Sequence, residues 1–224
     1  MGYGIVIRVC GDYALFTRPE MKVERVSYDV ITPSAARGMI EAIYWKPAIR
    51  WVIDKIHVLN EIKFTNIRRN EVSDKISTKT AMQIMNGTQK PFFLEATNTA
   101  KKIRQQRASM ILKNVDYVIE AHFEKVKSNW GERDTIEGHY NIVLRRLRKG
   151  QHYHAPYLGT REFGAKVELL ENGTWPTSAL TGEEKLGWML YDLDFSNPKD
   201  IQPKFFNATM QDGVIDLYGI ELRG

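Results

Sequence analysis

The sequence predicts an α+β chain, with strands and a helix alternating in the first half and a β-rich tail from about residue 150. Three observations carry that expectation. Residues 27–51 read as one helix with a marked start and stop. Residues 115–124 alternate apolar and polar side chains over ten positions. The last third holds short β-prone runs separated by Asn-Gly and Asp-Gly turn signals.

In chain order, Ile5, Ile7 and Val9 alternate on a first strand, which Gly11-Asp12 interrupts before Tyr13–Thr17 continues it. The helix follows. Thr32 suits its N-cap, Pro33 its first turn, and Pro47 ends it. Ala36, Met39, Ile40, Ile43 and Tyr44 recur at spacings of three and four and make one apolar stripe. Tyr44 sits at its C-terminal end, where a phenol either packs the core or emerges toward a groove. Residues 50–59 and Glu61–Arg69 read as two strands, Lys79–Met85 as a short helix, and Gln89–Leu94 as a strand. Thr97–Arg107 is polar and basic and is expected to be an exposed loop.

Residues 115–124 place Val115, Tyr117, Ile119, Ala121 and Phe123 on a buried face. Asp116, Val118, Glu120, His122 and Glu124 fall on an open one, with Glu120 and Glu124 as the same-face neighbours of His122. Asp134–Lys149 is an amphipathic helix, acidic at its start and basic at its end as the helix dipole favours. Its stripe is Ile136, Tyr140, Val143, Leu144 and Leu147. Strands are expected at Lys166–Leu170, Leu186–Phe195, Phe205–Met210 and Val214–Tyr218. The last two form a hairpin about Asp212-Gly213. The weak boundary near residue 150 divides the chain into 1–150 and 151–224.

At 224 residues the chain can bury a real core. It holds no apolar stretch long enough to span a bilayer, and Met1–Cys10 lacks the features of a signal peptide. A single cysteine, Cys10, rules out an internal disulfide and fits a cytoplasmic protein. The formal net charge is +5, and the bases cluster. Lys101, Lys102, Arg104 and Arg107 form one run, Arg145, Arg146, Arg148 and Lys149 a second, and Arg68 and Arg69 adjoin. Together they favour a phosphate-binding surface.

No phosphate-binding P-loop, dinucleotide fingerprint, zincin motif or nucleophile elbow is present, and no cofactor is implied. The His152-x-His154 pair lacks a third ligand at a metal-site spacing, so no metal site is assigned. Tyrosine, histidine and cations remain. They suit metal-independent RNA cleavage, in which a base takes the 2′-OH proton, the oxygen attacks the adjacent phosphate in line, and a 2′,3′-cyclic phosphate forms.

Six blocks then carry a resemblance. They are Gly11–Thr17, Ser27–Val30, Ile43–Pro47, Arg68–Val72, Ala121–Glu124 and Leu158–Glu162. In order and in kind they resemble the Cas-five family of CRISPR-associated proteins, subtype I-C. The resemblance implies a ferredoxin-like, RRM-related N-terminal domain and a smaller C-terminal antiparallel β-sheet domain. It implies cleavage of CRISPR repeat RNA without metal, and retention on the 5′ handle of the crRNA as a Cascade subunit. Other Cascade subunits, backbone and large, and target DNA are then partners. The family's catalytic tyrosine falls on Tyr44 and its histidine on His122. The lysine the family carries just before that histidine is missing, since Glu120 and Ala121 stand there; Lys46, Lys113 or Lys125 would have to replace it. Arg68, Arg69, Arg161 and Lys113 are the expected phosphate contacts. The competing expectations are a non-catalytic subunit that caps the crRNA, and an RRM-like RNA binder outside CRISPR.

Overall fold

The computed structural model describes residues 3–21, 23–94, 104–197 and 199–224. A large, mostly antiparallel sheet runs in the order β6-β1-β5-β3-β9-β8-β7, and β2 and β4 also pair with β5. The strands are β1 (Gly4–Ala14), β2 (Arg25–Val26), β3 (Ile49–Val58), β4 (Phe64–Val72) and β5 (Arg104–Lys125). After them come β6 (Lys166–Leu169), β7 (Glu183–Asp194), β8 (Gln202–Gln211) and β9 (Val214–Asp216). Among the described residues three α-helices accompany them: α1 (Pro33–Ile43), α2 (Thr78–Met85) and α3 (Ile136–Arg148). β9 pairs with β3 through Ile56↔Ile215, so the tail strands extend the same sheet.

The core lies where α1 and α3 cover one face of this sheet. Ile5, Ile7, Ile53, Ile119 and Ala121 are buried there with Ile40, Ile43 and Val143. The alternation of β5 turns Tyr117, Ile119, Ala121 and Phe123 to the helices as expected, but the other face is open only from Glu120 onward, since Val118 is buried and Asp116 is buried against Arg8. Helix α1 begins as its sequence predicts, with the Thr32 hydroxyl accepting the Ala35 N–H at 3.2 Å and Pro33 in the first turn. It ends at Ile43, before Pro47 can act, because other segments take its last carbonyls. Arg146 Nη1 donates to Ile43 O at 2.5 Å, and the Tyr153 N–H to Ala42 O at 2.8 Å. Tyr44 is thereby left in extended backbone, and its carbonyl accepts from Trp51 Nε1 at 2.9 Å.

Elsewhere the structure corrects the expectation. Gly11 does not interrupt β1; its missing side chain lets Leu158 pack against the strand, since a Cβ would lie 2.5 Å from Leu158 Cδ1. Gln89–Leu94 is not a strand, and the first half of β5, Arg104–Leu112, pairs with β4. Arg104–Arg107 opens β5 instead of lying in a loop, and Lys101 and Lys102 fall outside the described residues. Ile136 is exposed, and His139 takes its place among the buried residues of α3. Gly159, at φ +85°, brings the 157–163 loop so close to β1 that a Cβ would meet Leu15 O at 2.0 Å.

Four tyrosines, Tyr28, Tyr44, Tyr117 and Tyr191, have phenol pKa values raised mainly by burial. The folded chain therefore holds these protons more tightly than the unfolded chain, and stability falls as pH rises past the ordinary phenol value of about 10. Urea unfolding at about pH 8 and about pH 11 checks this; the midpoint is expected to drop at the higher pH.

Candidate functional site

Tyr44 and His122 occupy opposite faces of the sheet. On the helix side, Tyr44 is only 2% exposed. Its hydroxyl lies 2.7 Å from His139 Nδ1. Asp134 Oδ1 is 3.2 Å from His139 Nε2, a contact too bent for a full hydrogen bond. An ionised carboxylate attracts the protonated nitrogen, so Nε2 carries the proton, Nδ1 accepts, and the phenol donates. Phe123 and Trp130 pack on the His139 ring, and the Arg146 guanidinium lies 5.2 Å from the Tyr44 ring centre. Burial holds the Tyr44 phenol above its ordinary pKa, against the opposing pull of Arg146. The cluster is a closed anchor between the end of α1 and α3.

His122 is the cross-strand neighbour of Val52 and Gly4, and points away from the helices. About a third of its side chain is exposed. The carboxylate beside it is Asp54, with Oδ1 and Oδ2 at 2.8 and 2.9 Å from Nδ1. The same-face acids expected as its neighbours are engaged elsewhere. Glu120 holds His57 Nε2 at 2.6 Å, and Glu124 accepts from Arg50 at 2.6 Å. Asp54 reaches His122 because the β3–β5 register shifts between Ile53 and Lys55, a bulge that redirects one side chain. An ionised carboxylate only accepts, so the His122 proton sits on Nδ1, and Nε2 is left as the proton acceptor. Asp54 was not legible in the sequence, because a bulge leaves no periodic mark. Arg50 and Lys55, the cations paired across from Glu124 and Glu120, were missed for the same lack of signal.

The expected phosphate contacts lie away from His122: Arg68 and Arg69 on β4, Lys113 on β5 and Arg161 in the 157–163 loop. Arg68 is opposite Ala108, fourteen positions from His122, or about 45 Å along the strand at about 3.3 Å per residue. Arg68, Arg161 and Lys113 are exposed. Arg69 is neutralised by Glu162 and also donates to Ser109 Oγ at 3.0 Å. Of the second basic run, Arg146 caps α1 and Arg148 binds Glu171 at 2.5 Å, so both serve packing. Of the lysines that would replace the missing one, Lys46 is exposed just beyond Tyr44, and Lys125 Nζ lies 4.4 Å from the Trp130 ring centre. Ala121 faces the covered side and is 1% exposed. His154 stacks on Tyr157 at 6.0 Å. Among the described residues no three His, Cys, Asp or Glu side chains are grouped so as to hold a metal ion, and no helix is long and apolar enough to cross a membrane.

Residues 4–218 match the family model of the CRISPR-associated protein (Cas_Cas5). The CRISPR pre-crRNA endoribonuclease Cas5d of Mannheimia succiniciproducens is 47% identical over 221 residues, covering 97% of this chain and 96% of that protein. Its namesake from Thermus thermophilus is 38% identical over 228 residues, covering 94% and 90%. A crystal structure of a CRISPR-associated protein superposes with a TM-score of 0.69 at 23% identity, covering 99% of this chain and 96% of that one, which is a likeness of fold.

Removing the Tyr44 hydroxyl leaves buried His139 Nδ1 without its donor, and Tyr44→Phe is expected to lower stability by about 1–3 kcal/mol. Urea unfolding at neutral pH checks it.

Proposed function

The chain belongs to the CRISPR-associated Cas5 family, and from that premise we propose that it cuts CRISPR precursor RNA in the repeat and stays on the 5′ handle of the crRNA as a Cascade subunit. The observation that carries the chemistry is the His122–Asp54 pair on the open face. His122 Nε2 takes the proton of a 2′-OH, the freed oxygen attacks the adjacent phosphorus in line, and the 5′-oxygen of the next nucleotide leaves. The leaving oxygen takes a proton from solvent, so the products are a 2′,3′-cyclic phosphate and a 5′-hydroxyl, and no metal is required. Asp54 fixes the imidazole tautomer and orientation, the office a buried aspartate fills beside the histidine of a serine-protease triad. Arg50 is exposed and, among the described residues, paired with exposed Glu124, so it can exchange that partner for the scissile phosphate, in the place of the absent lysine. The hydrogen bond from His57 to Glu120 tempers the repulsion that this carboxylate would exert on RNA.

Arg68, Arg161 and Lys113 are proposed to hold phosphates of the same RNA away from the cut, with Arg69 bracing the 157–163 loop through Glu162. The order β6-β1-β5-β3, with α1 between β1 and β3 and α3 between β5 and β6, supports reading residues 1–150 and β6 as a ferredoxin-like unit with insertions. Residues 151–224, β6 apart, then supply the smaller β unit. In this reading the protein works in the cytoplasm, and other Cascade subunits and target DNA meet it there.

A second reading, a non-catalytic cap on the crRNA, draws on the missing lysine. Cleavage and binding of the cognate repeat RNA in EDTA separate the two. Wild type is expected to cut, and His122→Ala to bind with near-wild-type affinity and cut at least about a hundredfold more slowly, the loss typical for a removed acid–base group. Tight binding by wild type without any cutting would give the cap reading. Tyr44→Phe divides the two roles open to the phenol. The contacts with His139 favour an anchor, so retained cutting with lowered stability is expected. Lost cutting at unchanged stability would assign the phenol to the chemistry and require the end of α1 to open on RNA.

A further inference from the structure

A groove of about 540 Å³ lies between α1, the end of β1, β7 and the 154–159 loop, and the proposed chemistry leaves it unused. Phe16, Tyr28, Ser34, Gly38, Glu41 and Tyr157 are among its walls. Three of the sequence blocks, 11–17, 27–30 and 158–162, meet here. The Tyr28 N–H donates to Phe16 O at 2.8 Å, the Leu15 N–H to Leu158 O at 3.0 Å, and the Phe16 N–H to Ser27 Oγ at 3.0 Å.

Gly38 is the first sign of use. A glycine inside a helix costs about 0.5–1 kcal/mol relative to alanine. Neither reason that usually justifies one applies here. Its φ is not positive, and a Cβ built on it would meet nothing within 4 Å. What its bare backbone keeps clear is the groove. Tyr28, 2% exposed, belongs to the packed floor of the groove, and half-buried Tyr157 is its aromatic wall. The Tyr28 hydroxyl accepts the Leu190 N–H at 3.3 Å, the Arg18 guanidinium lies 4.6 Å from its ring centre, and Tyr157 is stacked on His154.

Glu41 gives the groove a sign. It is half-buried, and burial holds its carboxyl above the ordinary range, against the pull of Arg37, whose Nε is 3.6 Å away. Arg37 is itself committed to Asp192 through contacts of 2.5 and 2.8 Å. A carboxylate so placed repels phosphate and accepts N–H donors. Arg18 at the rim, paired with Asp29 at 2.7 Å, is the cation beside it. One aromatic wall, one acceptor and a rim cation fit a nucleobase with its backbone outside, and the volume lies within the range of small-molecule sites, about 300–1,000 Å³.

We propose that this groove takes one unstacked nucleobase of the bound RNA against the Tyr157 ring, a guanine whose N1–H and N2–H face the Glu41 carboxylate. The proposal rests on the RNA-binding reading given above. The test measures binding of repeat RNAs carrying a single abasic nucleotide at each position in turn, by wild type and Gly38→Trp, which fills the groove. At one guanine position the lesion is expected to weaken wild type about tenfold, the order of a lost stacked base. Gly38→Trp is expected to bind intact RNA about tenfold more weakly and to lose nothing further at that position. Glu41→Gln, which keeps the side-chain shape, is expected to lose the preference for guanine over adenine there, and it serves alone should Gly38→Trp fail to fold. Abasic profiles identical in wild type and Gly38→Trp, or an unchanged guanine preference in Glu41→Gln, would overturn the groove and leave the RNA reading standing. Failure of wild type to bind any repeat RNA would overturn both.

Discussion

β5 hydrogen-bonds to β1 and β3 along its second half and to β2 and β4 along its first, so its register positions most of what surrounds it. Side chains two apart on a strand share a face, and adjacent ones do not. Placing Phe123 in the core against Trp51 and His139 therefore obliges His122 to point the other way. A slip of one residue would bury His122 and expose Ile119 and Ala121, and the apolar set on the helix side makes that slip costly. The two groups singled out for chemistry are thus parted by the same alternation that builds the core.

Each half of that arrangement has its own polar closure. On the helix side, buried Tyr44 and His139 are hydrogen-bonded with half-buried Asp134 beside them, while Arg146 caps the end of α1 and lies over the same phenol. That cluster ties three segments together and leaves no hydrogen-bonding group facing solvent at Tyr44. On the open side, the imidazole of His122 is held by one nitrogen and presented by the other. Many cations that looked available in the sequence are bound to acids, including Arg8 to Asp116, Arg37 to Asp192, Arg69 to Glu162 and Arg107 to Glu71. The modest net charge conceals an uneven surface.

Much of the framework was legible because it is local. Thr32, Pro33 and the stripe from Ala36 to Ile43 announce α1, the alternation of 115–124 announces the second half of β5, and Asp212-Gly213 announces the hairpin of β8 and β9. The first half of β5 escaped notice because Arg104–Arg107 pairs with β4 in an exposed ribbon, where no face needs apolar residues. His139 was invisible as a site residue because its partner is 95 positions away. Asp54 was hidden by a bulge, and the groove by its assembly from segments as distant as Phe16 and Tyr157. The six blocks pointed to the right family; which side chains can meet was a matter of pairing and register.

The central claim is that RNA meets His122 on the open face of the sheet while the Tyr44–His139 anchor stays closed. Histidine carbethoxylation, read residue by residue by mass spectrometry with and without the cognate repeat RNA, tests it most directly. The account predicts that RNA protects His122, and that buried His139 stays unreactive in both states. Unchanged labelling of His122, with His139 becoming reactive when RNA binds, would contradict it and move the reaction to the Tyr44 side.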